Sequence, residues 1–286
     1  MPTHEIFQNP FPVTIEFEEV GTPESYRHWP GGVELGEKMK VWKVQNKEFP
    51  EIDPGLVSDP YGFDDSPDAE AISSGINSKG PEAVALGRHG NFFLWGFSAQ
   101  PSDMTESGRH CFLNAICYIK KFDGQSPLVR KTSQGRRWAL VYAGYAKTYG
   151  DQDFVKNLFP KSLREEFGTD SDRYVKYYQD NLEYLHPGEH GFEVDDEVKQ
   201  LGVSNRQIEL LDRCVKMLED RDHAELAQRI LKRYTTENFK EPAQWRAWLE
   251  QHRERLFFTD AGGYKFLVNS QSLQRTTEKT STTGGR

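Results

Sequence analysis

The period of hydrophobic and polar residues changes once along this chain, near Gly124. Before that point, residues 13–20 (VTIEFEEV) and 39–44 (MKVWKV) alternate between apolar and polar side chains. Successive side chains of a strand point to opposite faces, so each segment is predicted to be a strand with one face in solvent. The first part of the chain is therefore expected to contain sheet.

Residues 83–121 carry the densest apolar pattern of the chain and indicate a strand, a turn, a second strand, a loop and a helix. Gly90-Asn91 separates two apolar runs, which is typical of a two-residue hairpin turn. Asp103, with Glu106 three residues later, predicts a helix that starts with a capping box. Apolar residues then recur at helical spacing, and the expected common core contains Phe92, Leu94, Phe112, Ile116 and Ile119.

A helical period dominates from residue 136 to residue 256. The predicted helices cover 138–149, one or two segments of 153–185, 204–219 with a capping box at Ser204, 224–234, and a segment that begins near Pro242. Two apolar runs around residues 260–263 predict a terminal hairpin over 256–268. Because an isolated two-stranded hairpin is marginally stable in water, its aromatic residues are expected to pack on Trp245 and Trp248.

These patterns predict a mixed α/β protein with two domains. Residues 1–125 are expected to form an α/β domain, and residues 126–269 are expected to form an all-α region closed by the β-hairpin. Residues 270–286 are polar and rich in threonine, which is typical of a disordered tail. Residues 49–80 are rich in Pro, Gly, Asp and Ser and are predicted to be a long loop.

The charge and hydropathy of the chain argue against two classes of partner, nucleic acids and membranes. Its net charge is −8, from 36 basic and 44 acidic side chains, whereas nucleic-acid binding requires clustered cations. No apolar run approaches the roughly 20 residues of a membrane span, so neither nucleic acid nor membrane is expected as a partner. The first residues, MPTHEIFQNPFPV, lack the basic and apolar regions of a signal peptide. This predicts a cytoplasmic protein, or an exported one if the chain is a fragment of a longer precursor.

The residue types that most often carry covalent or metal chemistry form no recognisable motif. Cys111, Cys117 and Cys214 lie within predicted helices, where buried and unreactive thiols are expected. His186 and His190 are four residues apart, but the Pro-Gly between them prevents a shared helical face for a metal. No phosphate-binding glycine loop precedes a helix. The sequence therefore predicts no metal and no other cofactor.

An acidic loop and one histidine are the remaining candidates for a site. Residues 59–70 carry five carboxylates, of which Asp64 and Asp65 are the candidate catalytic groups together with His89 at the turn between Gly87 and Gly90. Such groups act as acid and base where burial separates their pKa values. The same residues have ordinary structural explanations, because Asp beside Pro forms turns and histidine occurs in hairpins. Loop carboxylates also bind Ca²⁺, although the EF-hand spacing is absent here.

Residues 90–119, GNFFLWGFSAQPSDMTESGRHCFLNAICYI, resemble the final strand, loop and helix of the trehalose-utilisation (ThuA-like) group within the class I glutamine amidotransferase-like fold. Gly96 and the pair Asn114-Ala115 carry the likeness, which covers residues 81–122. The resemblance implies a partial flavodoxin-like sheet with parallel strands. The chain departs from the group at Phe97, where the family has histidine, and it lacks the nucleophile elbow. The resemblance therefore implies no catalytic residue.

A second resemblance concerns residues 233–251, RYTTENFKEPAQWRAWLEQ. This segment is similar to sequences that accompany HEAT-like helices in uncharacterised planctomycete proteins. The resemblance implies a HEAT-like helical region after the ThuA-like part.

Two functions are compatible with these features. The first is a non-catalytic binding or scaffold protein, built on a degenerate ThuA-like domain, with a protein or a small carbohydrate-like molecule as partner. The second is a hydrolase or carbohydrate-related enzyme that uses the carboxylates of residues 59–70 and His89. The absence of a nucleophile motif favours the first. Convergence of Asp64 or Asp65 with His89 in one pocket would favour the second.

Overall fold

The computed structural model describes residues 3–27, 34–47, 55–77, 80–130, 133–149, 153 and 157–271. The chain divides into two compact units, Met1–Leu128 and Val129–Arg286. Each unit contains helices and small antiparallel sheets, so the predicted mixed α/β content is confirmed. Apart from Ser270 and Gln271, the predicted disordered tail lies outside the described residues.

The described strands of the N-terminal unit form two antiparallel sheets. A two-stranded ribbon pairs β1 (Phe17–Gly21) with β2 (Lys38–Trp42). A three-stranded sheet has the order β3 (Ala69–Asn77), β4 (Gly80–His89) and β5 (Phe92–Trp95). A four-residue helix, α1 (Glu24–Arg27), follows β1.

The strand β3 lies within the segment that was expected to be a loop. Its middle residues, Ser73, Ser74 and Gly75, have low strand propensity, and the pairing of β3 with β4 shifts register there. Hydrogen bonding to the strongly apolar β4 imposes the strand conformation, and this tertiary influence is invisible in local sequence.

A two-residue turn explains why β4 and β5 are antiparallel. Gly90-Asn91 joins β4 to β5, and Gly90 adopts a φ of +56°, as the hairpin prediction requires. Parallel neighbours would need a crossover connection of a dozen or more residues. The parallel strands of a flavodoxin-like sheet are accordingly not found among the described strands of this unit.

The helix after β5 forms, but its buried side differs from the predicted one. The helix α2 (Glu106–Ile119) begins after Thr105, whose hydroxyl accepts a hydrogen bond from the N–H of Gly108 at 3.1 Å, rather than after Asp103. Phe92 is 66% exposed and Ile116 is 51% exposed. The predicted common core of Phe92, Leu94, Phe112, Ile116 and Ile119 is therefore wrong.

The N-terminal segment determines which side of α2 is buried. Asn114 donates hydrogen bonds to the carbonyls of Ile6 and Phe11 at 2.9 and 2.7 Å. Its own side-chain carbonyl accepts from the N–H of Phe11 at 3.0 Å. Ile6 then packs with Cys111 and Ala115 in the core of this unit. The buried side of α2 is therefore the one that carries Asn114, a polar residue whose hydrogen bonds are satisfied. The apolar side that the helical spacing indicated is not the buried one.

Helices are the main regular structure in the described part of the C-terminal unit. They are α3 (Trp138–Tyr149), α4 (Lys161–Phe167), α5 (Ser171–Asn181), α6 (Asp196–Leu201), α7 (Glu209–Glu219), α8 (Ala224–Tyr234) and α9 (Pro242–His252). Single 3₁₀ turns occur in both units, at Glu5–Phe7, Pro60–Gly62, Lys120–Phe122, Leu182–Tyr184 and Arg253–Arg255. The helix predicted from Ser204 begins at Glu209, because the Ser204 hydroxyl donates to the Glu183 side chain.

An antiparallel ribbon interrupts the helices, so the expectation of only helices before the terminal hairpin is wrong. A second ribbon follows the last helix, where the terminal hairpin was predicted. The first pairs β6 (Leu185–Pro187) with β7 (Phe192–Val194). The second pairs β8 (Leu256–Thr259) with β9 (Lys265–Val268) around a turn at residues 260–264. The spacing of apolar residues could not indicate β6 and β7, because each strand is only three residues long.

The C-terminal unit has two buried clusters, and the ribbon of β8 and β9 contributes to both. Phe266 lies in the same cluster as Trp245 and Trp248, together with residues of α7 and α8. Tyr264 lies in the second cluster, which contains Tyr178 and other aromatic residues of α3 and α5. The ribbon thereby connects helices that are distant in sequence.

A chain of buried polar groups also crosses this unit, and we name it the Arg136 network. Arg136 pairs with Asp260 at 2.7 Å and donates to the Asn205 side chain at 3.0 Å. Asn205 lies 3.3 Å from the hydroxyl of Tyr234, which donates to Asp195 at 2.7 Å. Since buried polar groups without partners are costly, this network fixes the relative positions of the elements that supply it.

Candidate functional site

Ionisable side chains of the N-terminal unit converge at the turn end of the three-stranded sheet. The register of β3 and β4 places Glu70 opposite Arg88 and Ala69 opposite His89. Tyr118 comes from the buried side of α2, and His4 comes from the segment before β1. We name the following residues the His89 cluster: His4, Asp68, Glu70, Arg88, His89 and Tyr118.

Arg88 is the buried cation of the His89 cluster. It donates to the main-chain carbonyls of Asp68 and Gly90, at 2.8 and 3.3 Å, and to the Tyr118 hydroxyl at 3.2 Å. Its guanidinium group lies 3.9 Å from the centre of the Phe122 ring. Arg88 also donates to the Glu70 carboxylate at 3.4 Å, so it connects β3, the turn and α2.

Asp68 is the buried anion of the cluster. It accepts hydrogen bonds from the Ser66 hydroxyl and from the N–H of Leu128, the latter at 3.0 Å, and lies 3.5 Å from Nε2 of His89. Burial alone raises the pKa of Asp68, but the contacts with His89, Ser66 and Leu128 stabilise the ionised form and lower its pKa to about 2. Asp68 is thus a permanent anion near neutral pH.

Glu70 and Tyr118 form the second half of the cluster. The Tyr118 hydroxyl donates to Glu70, and Nε2 of His4 lies 3.0 Å from the other oxygen of the same carboxylate. Burial raises the pKa of Glu70, yet the hydrogen bond from Tyr118 and the charges of His4 and Arg88 lower it overall. Burial, followed by the hydrogen bond to Glu70, raises the pKa of Tyr118 to about 12.

The residues predicted as catalytic candidates have different surroundings in the structure. Nε2 of His89 is buried and lies 3.5 Å from a carboxylate oxygen of Asp68, but it makes no hydrogen bond with a described residue. The side chain of Asp64 is exposed and makes no hydrogen bond or ion pair with the described part of the chain, and Asp65 is half-buried. The sequence pattern did not indicate Arg88 and Tyr118 as site residues. Their contact depends on the register of β3, which the pattern did not reveal.

Among the described residues, thiols and metal ligands form no second site. Cys111 and Cys214 are buried, and burial raises the pKa of each thiol to about 12. Cys117 is exposed, so the expectation that all three thiols are buried is wrong. The described residues contain no group of three or more His, Cys, Asp or Glu side chains that could hold a metal ion. Within the same residues, no helix is both long and apolar enough to cross a bilayer.

Comparison with known proteins identifies no relative: no protein-family model matches the chain, and no curated protein or solved structure is significantly similar to it. The chemistry of the His89 cluster is therefore inferred from its geometry. An efficient acid or base has a pKa near the working pH, whereas Asp68 and Tyr118 have pKa values of about 2 and about 12. The contacts instead join the N-terminal segment, the sheet, α2 and Leu128.

Substitution of Asp68 tests this structural role. Its folded pKa lies below the ordinary value of 3.8, so the ionised group stabilises the fold above about pH 4. That stabilisation disappears as the pH falls toward 2. Asp68→Asn is expected to lower the free energy of unfolding by about 2 kcal/mol at pH 7, and by progressively less below pH 4.

Urea unfolding of both proteins between pH 7 and pH 2.5 or so measures this difference. Asp64→Asn is the matched control, because Asp64 is exposed and only four residues away. The control is expected to unfold like the original protein. A loss of stability that is equal in both variants, or independent of pH, would contradict the role assigned to Asp68.

Proposed function

We propose that this protein is a non-catalytic binding or scaffold protein whose N-terminal unit, a degenerate ThuA-like domain, contacts a protein partner. The distribution of exposed apolar side chains carries this proposal. Among the described residues, six of the eight large apolar side chains that are clearly exposed belong to this unit: Phe11, Phe17, Leu56, Phe92, Leu113 and Ile116. Contiguous apolar exposure is characteristic of protein-binding surfaces, and Leu113 and Ile116 are neighbours on one side of α2.

The chemical character of these side chains favours a protein over a carbohydrate. Leu56, Leu113 and Ile116 are aliphatic and offer neither a flat ring nor a hydrogen-bonding group, and the other three are phenylalanines without a hydrogen-bonding group. Small-molecule sites instead combine an apolar wall with a few convergent polar groups. A protein partner can cover dispersed aliphatic and aromatic side chains together, as in the apolar centre of an interface.

The His89 cluster supports the non-catalytic part of the proposal. Its carboxylates accept hydrogen bonds from Ser66, Leu128 and Tyr118, and they lie beside His4 and His89. Its arginine donates to main-chain carbonyls. These groups are engaged with one another and with the backbone, which is the arrangement of a structural ion-pair network.

Site-specific photocrosslinking tests the binding surface. A photoreactive phenylalanine analogue would replace Leu113, which is 43% exposed, or Val141 on α3, which is 39% exposed. In extracts of the cells that make the protein, the probe at Leu113 is expected to yield a crosslinked product of defined mass. The matched probe at Val141 is expected to yield none. Equal labelling from both positions would contradict a binding surface on the N-terminal unit.

Hydrolysis assays test the enzymatic alternative. The purified protein would be incubated with chromogenic esters and glycosides, and no turnover above the buffer rate is expected. Turnover that falls when His89→Ala or Asp65→Asn is introduced would establish a hydrolase and overturn the non-catalytic proposal.

A further inference from the structure

The outward side of α2 carries an apolar centre with opposite charges at its two ends. Glu106, Arg109, Leu113, Ile116 and Lys120 follow one another at intervals of three or four residues, and all five are exposed. Lys120 is the first residue after α2 and continues its right-handed backbone. We name these five residues the α2 stripe. Residues at such spacing share one side of a helix.

The flanks of the α2 stripe extend its apolar area. Phe112 and Ile119 are half-buried on one flank, and Cys117 is exposed on the other. The opposite side of α2 is already occupied by the core residues Cys111 and Ala115. A helix with apolar residues around most of its circumference is normally covered on all sides. The apolar residues of α2 that were wrongly predicted to be core, such as Ile116, therefore indicate a second contact surface on this helix.

The two ends and the centre of the α2 stripe are self-complementary, whereas Arg109 would face Cys117 of the partner subunit. Leu113 is the midpoint between Glu106 and Lys120, with seven residues on either side. In an antiparallel pair of identical helices centred on Leu113, each end brings a carboxylate opposite an ammonium group. Ile116 would lie opposite His110, whose ring stacks on Phe11 at 5.1 Å and widens the apolar contact.

We propose that α2 pairs antiparallel with α2 of a second copy of this chain, around a two-fold axis at Leu113. This inference rests on the proposed function and names the partner of its binding surface. Two-fold contacts use the same patch on both subunits, and the charged ends and the centre of the α2 stripe meet this requirement. Glu106 would then face Lys120 of the partner subunit, and Lys120 would face Glu106 of the partner subunit.

The charged ends are available for this pairing. Glu106 makes no ion pair with any described residue. Lys120 contacts Asp123 in a highly exposed ion pair, and such pairs contribute little stability. Residues 1–128 contain 19 acidic and 10 basic side chains, so two copies repel each other at long range. The expected dimer is therefore weak, with a dissociation constant on the order of micromolar.

Sedimentation velocity of the full chain from about 1 to 200 μM tests the pairing, because a micromolar dimer changes its population across this range. The mean mass is expected to rise from monomer toward dimer. Glu106→Lys or Lys120→Glu alone places like charges at both ends and is expected to weaken the dimer about tenfold. The combined variant restores both ion pairs and is expected to return to the original affinity.

The combined variant separates pairing from an effect on helix stability. Lysine in the first turn and glutamate after the last turn both interact unfavourably with the helix dipole. If only helix stability mattered, the double variant would therefore form the weakest dimer. Circular dichroism reports whether α2 still forms. Glu225→Lys is the matched control, since Glu225 is exposed in the first turn of α8. This control is expected to dimerise like the original protein.

Substitution at the axis gives a second, stronger test. Leu113→Glu places two carboxylates against each other and is expected to abolish the dimer, whereas Val141→Glu on α3 is expected to retain it. A protein that stays monomeric to 200 μM or so, or a double variant that dimerises no better than the single variants, would overturn the proposed pairing. If the probe at Leu113 still captures a different protein, the self-pairing fails while the proposed binding function stands.

Discussion

Arg136→Met is expected to lower the free energy of unfolding of the C-terminal unit by about 3–5 kcal/mol. The guanidinium group of Arg136 is buried and donates to Asp260, to the carbonyl of Leu182 and to the side chain of Asn205. Methionine has a similar reach and no charge, so the substitution leaves the Asp260 carboxylate buried without its cation. An unpaired buried charge lowers the free energy of unfolding far more than the loss of an ordinary contact does.

A surface pair of the same residue types provides the control. Arg253 makes two hydrogen bonds of 2.8 Å to Asp212, but these side chains are 42% and 32% exposed. Arg253→Met is expected to cost no more than about 1 kcal/mol, because water solvates the remaining carboxylate. Urea unfolding followed by circular dichroism measures both changes. Similar costs for the two variants would refute the buried character of the Arg136 network.

A double variant separates charge burial from packing. Asp260→Leu combined with Arg136→Met removes both charges, so its cost is expected to be smaller than the sum of the single costs. Additive costs would indicate that Arg136 and Asp260 stabilise the unit independently.

A chain that ends at Arg255 is expected to lose the cooperative unfolding transition of the C-terminal unit altogether. This truncation removes Asp260 of the Arg136 network, Tyr264 from one buried cluster and Phe266 from the other. It also removes Lys265, whose ammonium group donates to the carbonyls of Arg233 and Thr235 at the end of α8. Together these losses exceed the roughly 5–15 kcal/mol by which domains are usually stable.

A chain that ends at Gln271 is the matched comparison, because it retains β8 and β9. Thermal unfolding followed by circular dichroism, with amide hydrogen exchange in α7 and α8, compares the two truncations. The longer chain is expected to keep its protected amides, and the shorter one is expected to exchange them rapidly. Equal melting temperatures would show that the hairpin is an appendage of the helical unit.

Local signals explain which elements the sequence could reveal. The predicted helices at 138–149 and 224–234 are confirmed at the same boundaries, and Pro242 occupies the first turn of α9 as expected. The turn at Gly90-Asn91 is also confirmed, since its geometry depends on a positive φ that glycine adopts without strain. Each of these signals lies within the element that it specifies.

Long-range contacts account for the predictions that failed. The His89 cluster depends on the pairing of Glu70 with Arg88, which are 18 residues apart on adjacent strands. The orientation of α2 depends on Asn114, whose partners at Ile6 and Phe11 are more than 100 residues away in sequence. A helix with apolar residues on two sides does not indicate by its own period which side the core will take.

The separation of Arg136 from Asp260 by 124 residues has a consequence for biosynthesis. A ribosome that adds about 5–20 residues per second needs roughly 6–25 s to travel from one to the other. The N-terminal unit has left the ribosome by then and can fold, because its contacts close within residues 1–128. The helical unit must wait for its last strands, and during that interval the nascent chain carries uncovered tyrosine and tryptophan side chains in the cell.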